Sequence, residues 1–162
     1  MFYMLIRLEE NKMQKGGALE ELIENIGTQL RILGQGVLLK QNVLWITYGN
    51  MTFPKKGAPV DFLGVIKGIP VAIECKETIS DRIRFSESHF SSKEKAFLSD
   101  FERAGGKAFV VFAFWKFNGL YIVKHADFEG YNRQSITDKA CKMLGKKLNM
   151  NVNDFVEFVK SA

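Results

Sequence analysis

The chain has 162 residues, 46% of them hydrophobic, with 23 basic and 18 acidic side chains and a net charge of +5. A chain of this length buries roughly 70% of its unfolded surface, so it needs neither disulfides nor a structural metal to hold a core, and nothing in its composition suggests intrinsic disorder. Its longest strongly apolar run, from Ala108 to Trp115, is far below the ~20 residues of a membrane span; MFYMLI lacks a basic leader and a cleavage site, and two Cys 66 positions apart give no disulfide framework, so the expected location is the cytoplasm.

After an irregular or strand-like start, GGALEELIENIGTQLRILGQG sets Leu19, Leu22, Ile23, Ile26 and Leu30 on one helical stripe and closes on Gly34 and Gly36. Val37 to Tyr48 predicts one or two strands, and GNMTFPKKGAP a loop with a basic tip at Lys55 and Lys56. VDFLGVIKGIPVAIECKE contains two β-prone runs around Lys67-Gly68-Ile69-Pro70, the pattern of a hairpin. Ser91 and Glu94 form a capping-box pattern ahead of a helix carrying Ala96, Phe97, Phe101 and Ala104, which ends at Gly105-Gly106. AFVVFAFW then predicts a buried strand, and Asn118-Gly119 turns the chain into an antiparallel partner, LYIVKH. From Gln134 one helical pattern runs to about Leu148 and another from about Asn153 to Lys160. The order predicts a single α/β domain, a central mixed sheet flanked by helices, with a core over about 16–125 and a helical basic tail over about 131–162.

The chemistry gathers on the first hairpin. Period-2 alternation puts Glu74 and Lys76 on one face of its second arm and Cys75 on the other. Asp61 begins the first arm, so the hairpin returns its carboxylate to Glu74 across thirteen positions. Two carboxylates and an ammonium suit phosphodiester hydrolysis with a divalent ion, because Mg²⁺ takes oxygen ligands, one or two of them carboxylates. The ion activates water while Lys76 orients it and stabilises charge on the phosphate; Glu20 can join from the first helix. Glu-x-Lys alone carries almost no information in a chain this rich in both residues, and Glu10-Asn11-Lys12 is a second copy. On the residues alone, an exposed ion pair beside a turn Asp fits equally well.

GALE at 17–20, PVDFLGVIKG at 59–68 and AIECKET at 72–78 together resemble the RecU-type Holliday-junction resolvases of the PD-(D/E)xK nuclease superfamily, in order and spacing as well as letters. The likeness runs from about Gly16 to Gln134. It implies a restriction-endonuclease-like core and a homodimeric, Mg²⁺-dependent endonuclease, with Mn²⁺ as a substitute, that nicks four-way DNA junctions symmetrically. It also implies catalytic roles for Glu20, Asp61, Glu74 and Lys76, with the metal held by Asp61, Glu74 and the backbone carbonyl of Cys75. Two departures stand out. Only about 25 residues separate Gly36 from Asp61, where the family carries a long projecting stalk, so any projection is short and tipped by Phe53-Pro54-Lys55-Lys56. Glu94 falls where the family has a Gln. Two other readings stay open: a nuclease of the same superfamily acting on flaps, single strands or specific duplex DNA, and a DNA-binding module without turnover. Converging carboxylates speak against the module, because they repel phosphate.

Residues 1–81 carry nine basic and nine acidic side chains, and residues 82–162 carry fourteen and nine, so the whole excess lies in the second half. Clustered Lys and Arg release counterions when they meet phosphates. Candidate DNA contacts are Lys55, Lys56, Arg82 and Arg84, with Lys139, Lys142 and Lys146 on one face of the tail helix; a solvated helix face explains the last three equally. Phe97, Phe101, Phe109 and Phe112 fit core packing, while Phe53 sits in a polar loop. His89 and His125 have no Cys or His at ligand spacing, which excludes a zinc site and leaves both as expected surface or loop residues, and Cys75 reads as a small core residue.

Overall fold

The computed structural model describes residues 17–42, 44–131, 133–149 and 151–162, with the side chains of 44–46 and 53–56 outside that description. The opening stretch, expected to be irregular or strand-like, lies outside the described residues. The first element is helix α1 (Ala18–Ile32), whose stripe of Leu19, Ile23, Ile26 and Leu30 is fully buried. Gly34, at φ 61°, takes the left-handed conformation that lets the chain leave the helix.

Strand β1 (Gly36–Lys40) follows, then β2 (Leu44–Tyr48) and β3 (Met51–Lys56). The last two form a two-stranded ribbon of their own and do not join the main sheet. This corrects the expected loop. The ribbon turns at Gly49-Asn50, with Gly49 at φ 61°, and places Lys55 and Lys56 at its base instead of its tip. Pro54 concealed the strand, since proline cannot donate to a ladder. The register slips between Leu44, opposite Lys56, and Trp45, opposite Pro54, and such a bulge is where a strand tolerates proline.

Next come β4 (Phe62–Ile66) and β5 (Ile69–Thr78), joined by Lys67-Gly68 with both residues at positive φ, the two-residue loop that matches strand twist. Beyond them lie β6 (Arg82–Arg84), helix α2 (Ser92–Arg103), β7 (Lys107–Phe114), a short 3-10 turn (Trp115–Phe117), β8 (Gly119–Lys124) and helix α3 (His125–Glu129). The predicted capping box is formed: the Ser91 hydroxyl accepts from the Glu94 N–H and the Glu94 carboxylate accepts from the Ser91 N–H. The tail is less helical than expected, comprising β9 (Ser135–Thr137), α4 (Asp138–Leu144), β10 (Lys146–Lys147) and α5 (Val152–Ser161).

The main sheet has the order β1-β4-β5-β7-β8-β10. Among the described residues only β5 and β7 run parallel, and α2 lies in their crossover. Helices cover both faces of this central pair, so β7 reads as an almost unbroken apolar run. On one face α1 and α5 pack over Phe62, Ile73, Phe109 and Val111; on the other, Phe90, Leu98, Phe128 and Cys141 pack over Ala72, Val110 and Phe112. The tail is part of this core, since Val152, Phe155, Val156 and Val159 of α5 belong to the first cluster. Among the described residues no helix is long and apolar enough to cross a membrane.

Candidate active site

The site forms where β5 outruns β4. Their pairing ends at Phe62 opposite Ile73, leaving residues 74–78 without a strand partner on that side among the described residues. Asp61 stands at this fork, and its Oδ2 accepts the Cys75 N–H at 2.7 Å. In an extended strand the N–H and C=O of one residue point to the same edge, so the Cys75 carbonyl also faces Asp61 and not β7. The Cys75 side chain packs into the α1 core, as alternation requires.

Glu74 is 2% exposed, a carboxylate inside the buried run Val71–Glu74. Its Oε1 accepts from Lys76 Nζ at 2.6 Å, while its Oε2 is buried and has no hydrogen-bond partner among the described residues. Lys76 Nζ also reaches Glu94 Oε1 at 3.3 Å and lies over the Phe90 ring, 5.1 Å from the centroid. Glu94 is therefore part of this cluster. Alignment with the family's Gln and the capping box were the two sequence signals that touched it, and neither said that its second oxygen would meet Lys76. Glu20, on the first turn of α1, pairs with Lys40 at 3.0 Å and lies near enough to Asp61 for its charge to be felt there.

Electrostatics show a site short of positive charge. Burial, and then the neighbouring Asp61, push the Glu74 carboxyl well above the ordinary carboxylate range, against the pull of Lys76. Burial also raises Asp61, with Glu20 and Glu94 adding to the rise and the Cys75 N–H and Lys76 opposing it. Burial lowers Lys76, but Glu74, Glu94 and Asp61 outweigh it and hold the ammonium charged. A divalent cation fits this arrangement: the buried Glu74 Oε2 has no hydrogen-bond donor among the described residues, and two desolvated acids share one lysine. Among the described residues no three His, Cys, Asp or Glu side chains gather at ligating distance.

The recombination protein U family model, RecU, matches residues 14–162. The chain belongs to the RecU family. It is 26% identical over 165 residues to the Holliday junction resolvase RecU of Ligilactobacillus salivarius, an alignment covering 90% of this chain and 76% of that protein. It is also 26% identical over 113 residues to the Holliday junction resolvase RecU of Pediococcus pentosaceus, covering 65% of this chain and 56% of the relative. Among solved structures it resembles the Holliday junction resolvase Hjc of Archaeoglobus fulgidus with a TM-score of 0.52 and 14% identity, over 79% of this chain and 94% of that one. This last likeness speaks to the fold, which is the expected restriction-endonuclease-like mixed sheet.

Among the remaining candidates, Arg82 and Arg84 project from the same side of β6, with Ile83 buried between them. Arg82 pairs with its neighbour Asp81 at 3.3 Å, whereas Arg84 has no ion-pair partner among the described residues. Lys139 and Lys142 are exposed on α4, but Lys146 does not share their helix: α4 stops at Leu144, and Lys146 pairs with Ile122 in β10, three strands from β5. The side chains of Phe53, Lys55 and Lys56 lie outside the described residues. His89 is exposed, whereas His125, expected at the surface, is 1% exposed and holds Glu102 Oε2 with its Nδ1 at 2.9 Å. Its partner lies 23 residues away in α2, beyond any local pattern.

Sequence reasoning also missed Glu77. Its position on β5 shares the Cys75 side of the strand, and its carboxylate accepts the N–H groups of Gly17 and Leu19 at the start of α1 and the Trp115 indole N–H at 2.7 Å. A strand carboxylate therefore caps the helix that carries Glu20. This satisfies orphan donors and places a negative charge at the positive end of the helix.

Proposed function

We propose that this chain is a Mg²⁺-dependent endodeoxyribonuclease that hydrolyses phosphodiesters in four-way DNA junctions and works as a homodimer, so that two symmetric strands are cut. The observation that carries the reading is the fork of β4 and β5, where Asp61 and the unpartnered Glu74 oxygen converge beside Lys76 in a chain of the RecU family. Asp61, Glu74 and the Cys75 carbonyl would hold the ion, which when bound supplies positive charge to the attacked phosphate and acidifies water. Lys76, fixed between Glu74 and Glu94, orients the attacking water and places an ammonium where negative charge grows on the phosphate. Glu20 approaches from the opposite helix to orient the same water. Arg82 and Arg84, in the strand that follows β5, would hold the DNA strand through its phosphates, and the exposed lysines of α4 and β10 would extend that contact. Nicking of a synthetic four-way junction in Mg²⁺, abolished by Asp61→Ala and by Glu74→Ala with binding retained, tests the assignment. Equal cleavage by both variants would sink it.

The ribbon favours one competing reading. With only residues 44–56 available, it is short for a device that must span a junction crossover, so flap and linear substrates belong in the same assay. Faster cleavage of a flap than of a junction would move the substrate assignment without moving the catalytic residues.

A further inference from the structure

Beside the catalytic cluster lies a cavity of about 540 Å³ that none of the catalytic roles uses. Its lining combines two chemistries: the cations Arg84, Lys95 and Arg133, and the aromatic rings of Phe85, Phe128 and Tyr131. None of the three cations has an ion-pair partner among the described residues, and Glu129 is the one carboxylate in the lining. His125 also lines the cavity. Its ring is buried and its Nδ1 is taken by Glu102, while its other nitrogen has no hydrogen-bond partner among the described residues.

The cavity connects to the catalytic lysine through one aromatic ring. Lys76 Nζ lies 5.1 Å and Lys95 Nζ 5.3 Å from the centroid of Phe90, so the two ammonium groups are at most about 10 Å apart. Phe90 contacts Phe128 at 5.1 Å, and Phe128 contacts Phe85 edge-on at 4.9 Å. A rise of about 3.4 Å per nucleotide makes that separation a few steps along one strand.

We propose that this cavity takes one unstacked nucleotide of the DNA strand being cut, a few positions from the scissile phosphate, with its base against Tyr131 and Phe85, its phosphate between Arg84 and Arg133, and the free nitrogen of His125 facing the base edge. The reasons are chemical. Unpaired cations on a rim attract phosphate, and aromatic walls receive a base face of any sequence. A branch point supplies the occupant, because a base pair there can lack a stacking neighbour on one side and so opens at lower cost than one inside a duplex.

This inference rests on the nuclease reading, and the test separates the two. Four-way junctions carrying 2-aminopurine at successive positions from the branch point are bound by the full chain bearing Asp61→Asn, which leaves the strand whole. Emission should differ from that of free junction at one position, and Tyr131→Ala and Arg133→Glu should each alter that signal and weaken binding by about fivefold to a hundredfold. Tyr131→Phe keeps the stacking surface and should restore both signals. Failure of the nuclease reading appears as no cleavage of any DNA by the unsubstituted chain. Failure of the pocket appears as normal cleavage with no emission change at any position and parental binding by the two variants. A free nucleotide is the other source of this chemistry: dAMP that shifts the His125 ring resonances while no strand position responds overturns the strand as occupant.

Discussion

Replacing Glu77 by Ala removes one carboxylate from three donors: the Gly17 and Leu19 N–H groups at the start of α1 and the Trp115 indole. Hydrogen bonds to a charged acceptor contribute about 1.5–3 kcal/mol each, and a lost helix cap costs about 0.5–2 kcal/mol. The Gly17 N–H can turn to water, while the Leu19 N–H and the indole are partly buried, so we expect a loss of about 2–4 kcal/mol. For a chain of this size that lowers Tm by about 5–15 °C, measurable by calorimetry or urea denaturation. Glu77→Gln keeps an acceptor without the charge and should fall between the variant and the parent. Because the same first turn carries Glu20, cleavage in Mg²⁺ should also fall at temperatures where the variant remains folded. A Tm within about 2 °C of the parent for Glu77→Ala would refute the reasoning, since the three contacts would then contribute no more than an exposed surface pair.

Three further outcomes follow from the same geometry. Asp61 and Glu74 are held above their ordinary values, so the folded state binds their protons more tightly than the unfolded chain; that stability is full below about pH 4 and is lost as pH rises through the folded values. Metal-free protein should therefore be less stable at pH 8 than at pH 5, Glu74→Gln should be about 1–3 kcal/mol more stable than the parent at pH 8 by urea denaturation, and Mg²⁺ should stabilise the parent but not the variant. Glu94→Gln retains the capping box, which accepts Gln as well as Glu, so thermal melting should change by less than about 1 kcal/mol while the rate of cleavage falls about tenfold or more through loss of the carboxylate charge that helps to hold Lys76 in place. Gly64→Ala would place a Cβ 2.1 Å from the Val37 carbonyl oxygen, where β1 and β4 approach closely, and should destabilise the sheet by about 2–3 kcal/mol in the same denaturation assay.

What could be read from sequence was what short-range rules determine. Alternation alone put Glu74 opposite Cys75, Lys67-Gly68-Ile69-Pro70 marked a hairpin whose turn is only Lys67-Gly68, and Ser91 with Glu94 announced the start of α2. Elements made by pairing across distance were hidden. Strand β6 has three residues and exists because it meets β9 more than fifty positions later, and β10 has two. The ribbon was masked because Pro54 and two lysines have the composition of a loop, and only the bulge reconciles them with a strand. Within the site, the residues of one hairpin were legible, whereas Glu94, Glu77 and His125 acquire their roles from partners in other elements. Burial of His125 depends on Glu102, and no pattern near position 125 specifies it.

The proposed activity is tested most directly by the rate at which purified chain nicks a mobile four-way junction in Mg²⁺, measured beside linear, flap and single-stranded controls and beside Asp61→Ala. The account predicts paired, symmetric nicks in the junction, little cleavage of the controls, and no products from Asp61→Ala despite an undiminished gel shift. Equal cleavage by Asp61→Ala, or no cleavage of any of the four substrates by the parent, would contradict it.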